Sequence, residues 1–325
     1  MNPSNAASFH HRYELLSTGR RYHFVDEKPA NYDAITTPTL LCIHGFPDCW
    51  YGWRFQIGPW VKRGYRVIVP DMLGYGGTDK PKETKEYSPK RLSDDMAALL
   101  DLDEIRKAVI IGHDWGSFIV GRFALWHPDR LLALILLSVP FTAPAKQYTP
   151  LHRIVEHAPN LGYQLYLADD KYTSEIEAGL HVMLPLMHRT PNAGVNFTMP
   201  GALRPIVVGE KKTWQQEREY YLEQLRQMHG PLSYYRTSKI RFDEEKAASL
   251  PSSLRPDLPV LFIWGTADPT SRALMAQKGH IAKLEEVAIH GKGHWLMIEA
   301  KDLVTEKVTD WLTELKIVPQ VRARM

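Results

Sequence analysis

The chain has 325 residues, and 40 Lys and Arg against 37 Asp and Glu leave a formal charge of +3. Hydrophobic residues at 44% and charged residues at 24% are those of a folded globular protein, which excludes a disordered chain, a collagen-like repeat and a coiled coil. So small a charge, its only basic concentration running from Lys316 to Arg324, provides no face for nucleic acid. The two cysteines, Cys42 and Cys49, cannot build a disulfide framework and are read as reduced thiols. Met1 to Ser8 lacks the apolar core of a signal peptide, and the longest apolar stretch, Leu131 to Phe141, is far short of the about 20 residues a membrane helix needs. A soluble, cytoplasmic protein is expected.

In chain order, Phe9–Leu16 and Arg20–Val25 predict a half-exposed hairpin around Thr18-Gly19. The runs Leu40–Ile43, Val67–Val69, Val109–Ile111 and Leu134–Leu137 are continuously apolar and bounded by turn residues, as in parallel strands covered on both faces. Helical patterns separate them at Trp50–Arg63, Ser88–Asp103 and Trp115–Trp126. This alternation predicts a doubly wound α/β sheet. The pattern breaks after Pro140. From Thr142 to Leu250 the chain is rich in Tyr, His, Met and Pro and reads as short helices, Trp214–Met228 being the clearest. Strands return at Val260–Trp264 and Leu284–Ile289. A closing helix follows, with Leu303, Val304, Val308, Trp311, Leu312 and Leu315 on its inner face. The organisation expected is a core of residues 1–141 and 251–325 interrupted by a helical cap of 142–250.

The sharpest motif is Gly112-His113-Asp114-Trp115-Gly116, between a strand and a helix. Small residues on either side of a central nucleophile permit a turn so tight that its side chain projects from the sheet edge. Serine is usual at the centre of such an elbow; here it is Asp114. A serine attacking saturated carbon would become an ether that water cannot easily cut. A carboxylate becomes an ester, which water can cleave at the ester carbonyl. Asp114 is ionised near neutral pH and needs no base for attack, only for the hydrolysis that follows.

The remaining parts lie at other strand ends. His44-Gly45-Phe46-Pro47 follows the first buried run, so the Phe46 amide, with that of Trp115 after the nucleophile, would hold an oxyanion. His294, after the last strand, is the base candidate among 14 histidines. His290 lies four residues earlier, but the glycines between them are not helical and no HExxH is present, so no metal is expected. Asp268 in Gly265-Thr266-Ala267-Asp268-Pro269 is the orienting acid. Glu299 and Asp302 are nearer His294 in sequence but head a helix, and are read as capping charges.

These motifs resemble the soluble epoxide hydrolases, the Asp-nucleophile branch of the α/β-hydrolase fold. The likeness runs through His44–Pro47, Tyr51–Arg54, Gly64–Val67, Asp71–Gly76, His113–Gly116 and Gly293-His294-Trp295. It implies an α/β-hydrolase fold with a mostly parallel eight-stranded sheet, an inserted helical cap, no cofactor, and two cap tyrosines that protonate the epoxide oxygen. Gly162-Tyr163-Gln164-Leu165-Tyr166 and Gly230–Arg236 match the tyrosine motifs and place Tyr166 and Tyr235. Tyr234 and Tyr235 project about 100° apart on a helix, so only one faces the pocket, and the resemblance selects Tyr235. Phe46, Trp115, Tyr163, Met187 and Trp295 are expected to line a pocket for a small apolar epoxide and water.

The alternative is a haloalkane or haloacid dehalogenase using the same nucleophile. Haloalkane dehalogenases carry HGNP, whose Asn binds halide, where this chain has Phe46; fluoroacetate dehalogenases carry HGFP but Arg after the nucleophile, where this chain has Trp115. Asp at position 114 excludes a serine esterase. A mere binding module would lack part of Asp114, Asp268 and His294, all of which are present. Gly74–Asp79 starts like a dinucleotide loop but ends in Asp after a different strand. The C-terminal Ala323-Arg324-Met325 is similar to a peroxisomal tripeptide, which adds a peroxisomal location to the expectations.

Overall fold

Strands β1 (His11–Leu15) and β2 (Arg21–Glu27) form the hairpin, with Gly19 at φ +79° in the turn where a side chain would be strained. The apolar runs become β3 (Thr39–Ile43), β4 (Arg66–Pro70), β5 (Ala108–His113), β6 (Leu131–Leu137), β7 (Pro259–Gly265) and β8 (Lys283–Ile289). Every residue of β3, β4 and β5 is buried, which is why these strands read as continuous apolar blocks. The structure, a computed structural model, describes residues 1–188, 197–209, 217–269 and 276–319. The C-terminal tripeptide and the start of the helix expected at Trp214 lie outside them.

The eight strands form one sheet in the order β1-β2-β4-β3-β5-β6-β7-β8. β1, β2 and β4 pair antiparallel, and the rest are parallel. Helix α1 (Arg54–Lys62) carries the chain from β3 to β4, and α2 (Pro89–Asp101) brings it back past β3 to β5. α2 starts at Ser88, whose hydroxyl accepts from the Arg91 amide, with Pro89 in the first turn. α3 (Trp115–Trp126) continues from β5 to β6. The chain thus reverses direction between β3 and β5. Right-handed crossovers then put helices on opposite faces and open a crevice at the C-terminal ends of these two strands. The loops carrying Phe46 and Asp114 leave at that point.

Among the described residues, eight α-helices lie between β6 and β7: α4 (Leu151–His157), α5 (Tyr163–Ala168), α6 (Thr173–Ala178), α7 (Leu180–Met187), α8 (Leu203–Val207), α9 (Glu217–Gln224), α10 (His229–Arg236) and α11 (Ser238–Ala247). No strand interrupts them among the described residues. These helices are tied to α3 by a buried ion pair of Arg122 with Glu245 at 2.6 Å, and to the loop after β4 by the Tyr234 hydroxyl donating to the Leu73 carbonyl at 2.9 Å. After β8 come α12 (Leu296–Glu299) and α13 (Lys301–Glu314), the latter packed on α1. Val304, Val308, Trp311 and Leu312 are buried in α13. Leu303 is not: it is 43% exposed, one position off the stripe that faces α1. None of the described helices is long and apolar enough to cross a membrane.

Candidate active site

Asp114 joins β5 to α3 at φ +55° and ψ −120°, a backbone state that costs about 1–3 kcal/mol and is held by its surroundings. The neighbouring glycines are required by contact. A Cβ on Gly112 would lie 2.4 Å from the Gly116 carbonyl oxygen, and one on Gly116 would lie 2.2 Å from that of Ile43. The turn is pressed against the β3 end, so the side chain of Asp114 meets the loop leaving β3. There the Phe46 amide donates to Asp114 Oδ1 at 2.8 Å. His44 pins that loop: its Nδ1–H donates to the Gly45 carbonyl, leaving Nε2 to accept from the Met72 amide at 2.9 Å. Burial lowers the His44 pKa, which keeps this neutral tautomer.

His294 lies between two carboxylates. Its Nδ1 is 2.8 Å from Asp268 Oδ2 and its Nε2 is 3.2 Å from Asp114 Oδ2. The three residues come from the ends of β5, β7 and β8 and from positions 180 and 26 apart in the chain. Burial works against an imidazolium here, but the charges of Asp268 and Asp114 and hydrogen bonds to both push the His294 pKa up to about 10. Burial likewise works against the Asp114 carboxylate, yet the His294 hydrogen bond and charge, with the Phe46 amide, hold its pKa below the usual value. The resting site is therefore an anion–cation–anion row.

This has a consequence for stability. His294 binds its proton more tightly folded than unfolded, so its contribution is complete below about pH 6.5 and is lost as pH rises toward about 10. In urea unfolding, the stability advantage of the native chain over His294→Gln should shrink across that interval. A gap that is constant with pH would remove the charged row.

The insertion brings an aromatic wall to the nucleophile. The Tyr235 ring stands edge-on to Phe46 at 5.1 Å, to Trp115 at 5.0 Å and to Tyr163 at 6.4 Å between centroids. Burial, with Asp114 nearby, raises the pKa of Tyr163, against a hydrogen bond with Tyr235 that lowers it. Burial, Tyr163 and Asp114 raise that of Tyr235. Both phenols stay protonated as O–H donors. Tyr166 is elsewhere. Its hydroxyl donates to Glu175 Oε1 at 2.8 Å, its ring lies 4.9 Å from Tyr172, and Glu175 in turn holds Arg204. The assignment of Tyr166 from the motif is therefore corrected: the tyrosine of α5 that meets Tyr235 is Tyr163, at the helix start, while Tyr166 is turned to the Glu175–Arg204 pair.

Trp295 is buried behind His294, with its indole N–H given to the Met187 carbonyl, so Met187 meets it through the backbone. His188 closes the same contact, with its ring 4.2 Å from Trp295 and its Nε2 3.0 Å from the Pro47 carbonyl. Three further residues, none of them given this place by the sequence, in which Glu299 reads as a capping charge, hold the backbone around His294. The His294 carbonyl accepts from His113 Nε2 at 2.8 Å and Ser138 Oγ at 2.7 Å. Burial, with the His294 charge, lowers the His113 pKa to about 4, so it serves as a neutral donor. Ser138 sits at φ +66°, a strain no pattern in the sequence signals. Glu299 accepts from the amides of Gly293 and Trp295.

A carboxylate at the elbow, a His–Asp pair and an amide donor, gathered at the strand ends of a mostly parallel sheet, are the parts of an α/β-hydrolase site. Residues 38–301 match the family described as alpha/beta hydrolase fold. The chain is 33% identical over 306 residues to epoxide hydrolase A of Mycobacterium tuberculosis, covering 86% of this chain and 92% of that protein. It is 30% identical over 329 residues to bifunctional epoxide hydrolase 2 of Rattus norvegicus, covering 97% of this chain but 57% of the rat protein. The crystal structure of epoxide hydrolase A from Mycobacterium thermoresistibile superposes with a TM-score of 0.76 at 27% identity, over 93% of this chain and 98% of that one. The chain belongs to the α/β hydrolase fold family, and within it to the epoxide hydrolases.

Proposed function

We propose that this chain adds water to a small apolar epoxide to give a vicinal diol, without a cofactor, through an ester on Asp114. The observation that carries the reading is the division of the Asp114 carboxylate. Oδ1 is held by the Phe46 amide, and Oδ2 is left toward His294. In the first step Oδ2 attacks an epoxide carbon, the ring C–O bond breaks, and Tyr163 and Tyr235 donate to the departing oxygen, one giving up its proton. The proton that His294 carries at rest then passes to the tyrosinate, and in the second step the neutral imidazole, oriented by Asp268, takes a proton from water that attacks the Asp114 carbonyl carbon. Oδ1 becomes the oxyanion held by the amides of Phe46 and Trp115. Collapse passes the proton of the new carboxyl group to the departing alkoxide, releasing the diol with Oδ2 and leaving Asp114 ionised and His294 protonated as at rest. Residues 142–250 act as the cap that supplies the tyrosines.

The aromatic wall of Phe46, Trp115, Tyr163 and Tyr235, with Met187 and Trp295 at its margin, supports an apolar substrate. A halide leaving group would instead need free side-chain N–H donors. Phe46 has none, and the indole N–H of Trp295 is committed to Met187. The burial of Cys42 and Cys49 as free thiols supports a reducing, cytoplasmic setting.

A single turnover in ¹⁸O-water with excess enzyme tests the scheme: the label is expected in the Asp114 carboxylate and not in the diol. Label in the diol alone would mean that water attacks the epoxide directly. The tyrosine assignment has its own test in the rate of ester formation, read by rapid-mixing tryptophan fluorescence. Tyr163→Phe and Tyr235→Phe should each slow it about 10- to 100-fold, the worth of one hydrogen bond to developing charge. Tyr166→Phe should leave it within about two-fold. Slowing by Tyr166→Phe equal to that of Tyr163→Phe would restore the motif-based choice.

A further inference from the structure

His294 sits on a loop, and a loop histidine is only as well placed as its backbone. The first half of this loop is tied to the strand-end segment of Asp268: the Gly291 amide donates to Thr266 Oγ1 at 2.9 Å, and the Ala267 amide donates to the Lys292 carbonyl at 2.9 Å. The second half is held differently. Gly293 donates its amide to Glu299 Oε2 at 2.8 Å, and Trp295 donates its amide to Glu299 Oε1 at 3.0 Å. One carboxylate thus spans the two peptide N–H groups on either side of the base. The His294 carbonyl between them accepts from His113, from Ser138 and from the Leu296 amide at 3.0 Å.

From this clamp we propose that Glu299 is a positioning residue for the second half-reaction: it sets the backbone of His294 so that the imidazole meets the water that cuts the Asp114 ester. The inference rests on the two-step reading above. Glu299 does not contact the reacting atoms and acts only through the two amides. Hydrogen bonds to an ionised acceptor are the strong kind, and two of them on one rigid carboxylate resist rotation of the peptides they grip. A catalytic group tolerates about 10–20° of misalignment, and the imidazole lies at the end of a lever that turns a backbone tilt into displacement. A misplacement of about 1 Å can cost about 100-fold.

The effect should be confined to one step. Ester formation uses Asp114, the Phe46 amide and the tyrosines, which stand after β5, on the loop after β3, and on α5 and α10, whereas the Glu299 carboxylate bonds to the Gly293 and Trp295 amides. Only ester hydrolysis needs His294 as base.

The test is Glu299→Gln, which keeps the shape but turns an amide N–H toward one of the peptide donors. Ester formation, followed by rapid-mixing tryptophan fluorescence with a styrene-oxide-type epoxide, should stay within about three-fold of the native rate. Hydrolysis should slow about 10- to 100-fold. The steady-state fraction of enzyme carrying the adduct, read by mass after acid quench, should rise, and kcat and KM should fall together. A loss through misfolding would instead lower kcat at unchanged KM, and that result, or a native adduct fraction, overturns the proposal. Should the Gln variant not fold, Glu299→Asp carries the same test, for it keeps the charge on an arm too short to span both amides. The native enzyme is the control for the reading beneath: absence of any Asp114 adduct there defeats the two-step scheme, whereas an adduct that partitions identically in both proteins defeats only the role of Glu299.

Discussion

Replacing Asp114 by alanine is expected to bring epoxide hydrolysis to background, a loss in kcat of at least about 10⁴-fold. The size follows from what Asp114 supplies. It is a nucleophile already ionised, held against the Phe46 amide at 2.8 Å and needing no proton transfer before attack. Without it a water would have to attack the epoxide, and the nearby His294 is placed 3.2 Å from the carboxylate, not at an epoxide carbon. Diol production with native kcat in this variant would end the covalent scheme. The same position offers a check on the strain. Asp114 stands at φ +55°, a state that glycine enters freely and alanine does not. Asp114→Gly should therefore unfold at higher urea concentration than Asp114→Ala, by about 1 kcal/mol in stability, while being equally inactive. Equal stability of the two would mean that the elbow is not strained.

The second large effect belongs to His294. The variant His294→Gln should still form the ester but hydrolyse it about 10²- to 10⁴-fold more slowly, the range for loss of a general base. Intact-protein mass should then show a fraction of chains heavier by the mass of one epoxide, with the added mass on the peptide containing Asp114. The physical reason lies in the row of charges. In the resting enzyme both imidazole nitrogens face carboxylates, Asp268 at 2.8 Å and Asp114 at 3.2 Å, which favours the imidazolium and raises the pKa to about 10. Ester formation converts Asp114 from an anion to a neutral group. One of the two charges that raised the His294 pKa disappears, and the pKa falls just when a base is needed. Glutamine can occupy the space but cannot accept the proton. Rapid turnover with no adduct in this variant would show that the second step does not pass through His294.

Much of this was open to a reader of the chain alone, for reasons that can be named. Strands covered on both faces are written as unbroken apolar blocks, so Leu40–Ile43 and Val109–Ile111 announced β3 and β5. The glycines at 112 and 116 announced the elbow because backbone passes within contact distance of both. Asp268 and His294 were legible from their places after β7 and β8, since such sheets collect chemistry at strand ends. The choice between Tyr163 and Tyr166 was not legible. They are three residues apart on a helix of six, close enough in phase that pattern cannot separate them. The partners decide: Tyr163 meets Tyr235 from α10, and Tyr166 is engaged by Glu175 of α6, itself paired with Arg204 of α8.

The sequence by itself determined the kind of chemistry, because the functional group of residue 114 and the tightness of its turn are local properties of five consecutive residues. Only the tertiary structure decided which groups serve that carboxylate and how firmly. His113, Ser138 and Glu299 converge on one loop from 181, 156 and 6 residues away or fewer, and the α5 tyrosine is chosen by helices that share no local pattern with it. Hydrogen bonds and ring contacts of this range depend on where the chain returns in space, and the side-chain identities fix what can bond but not what is within reach.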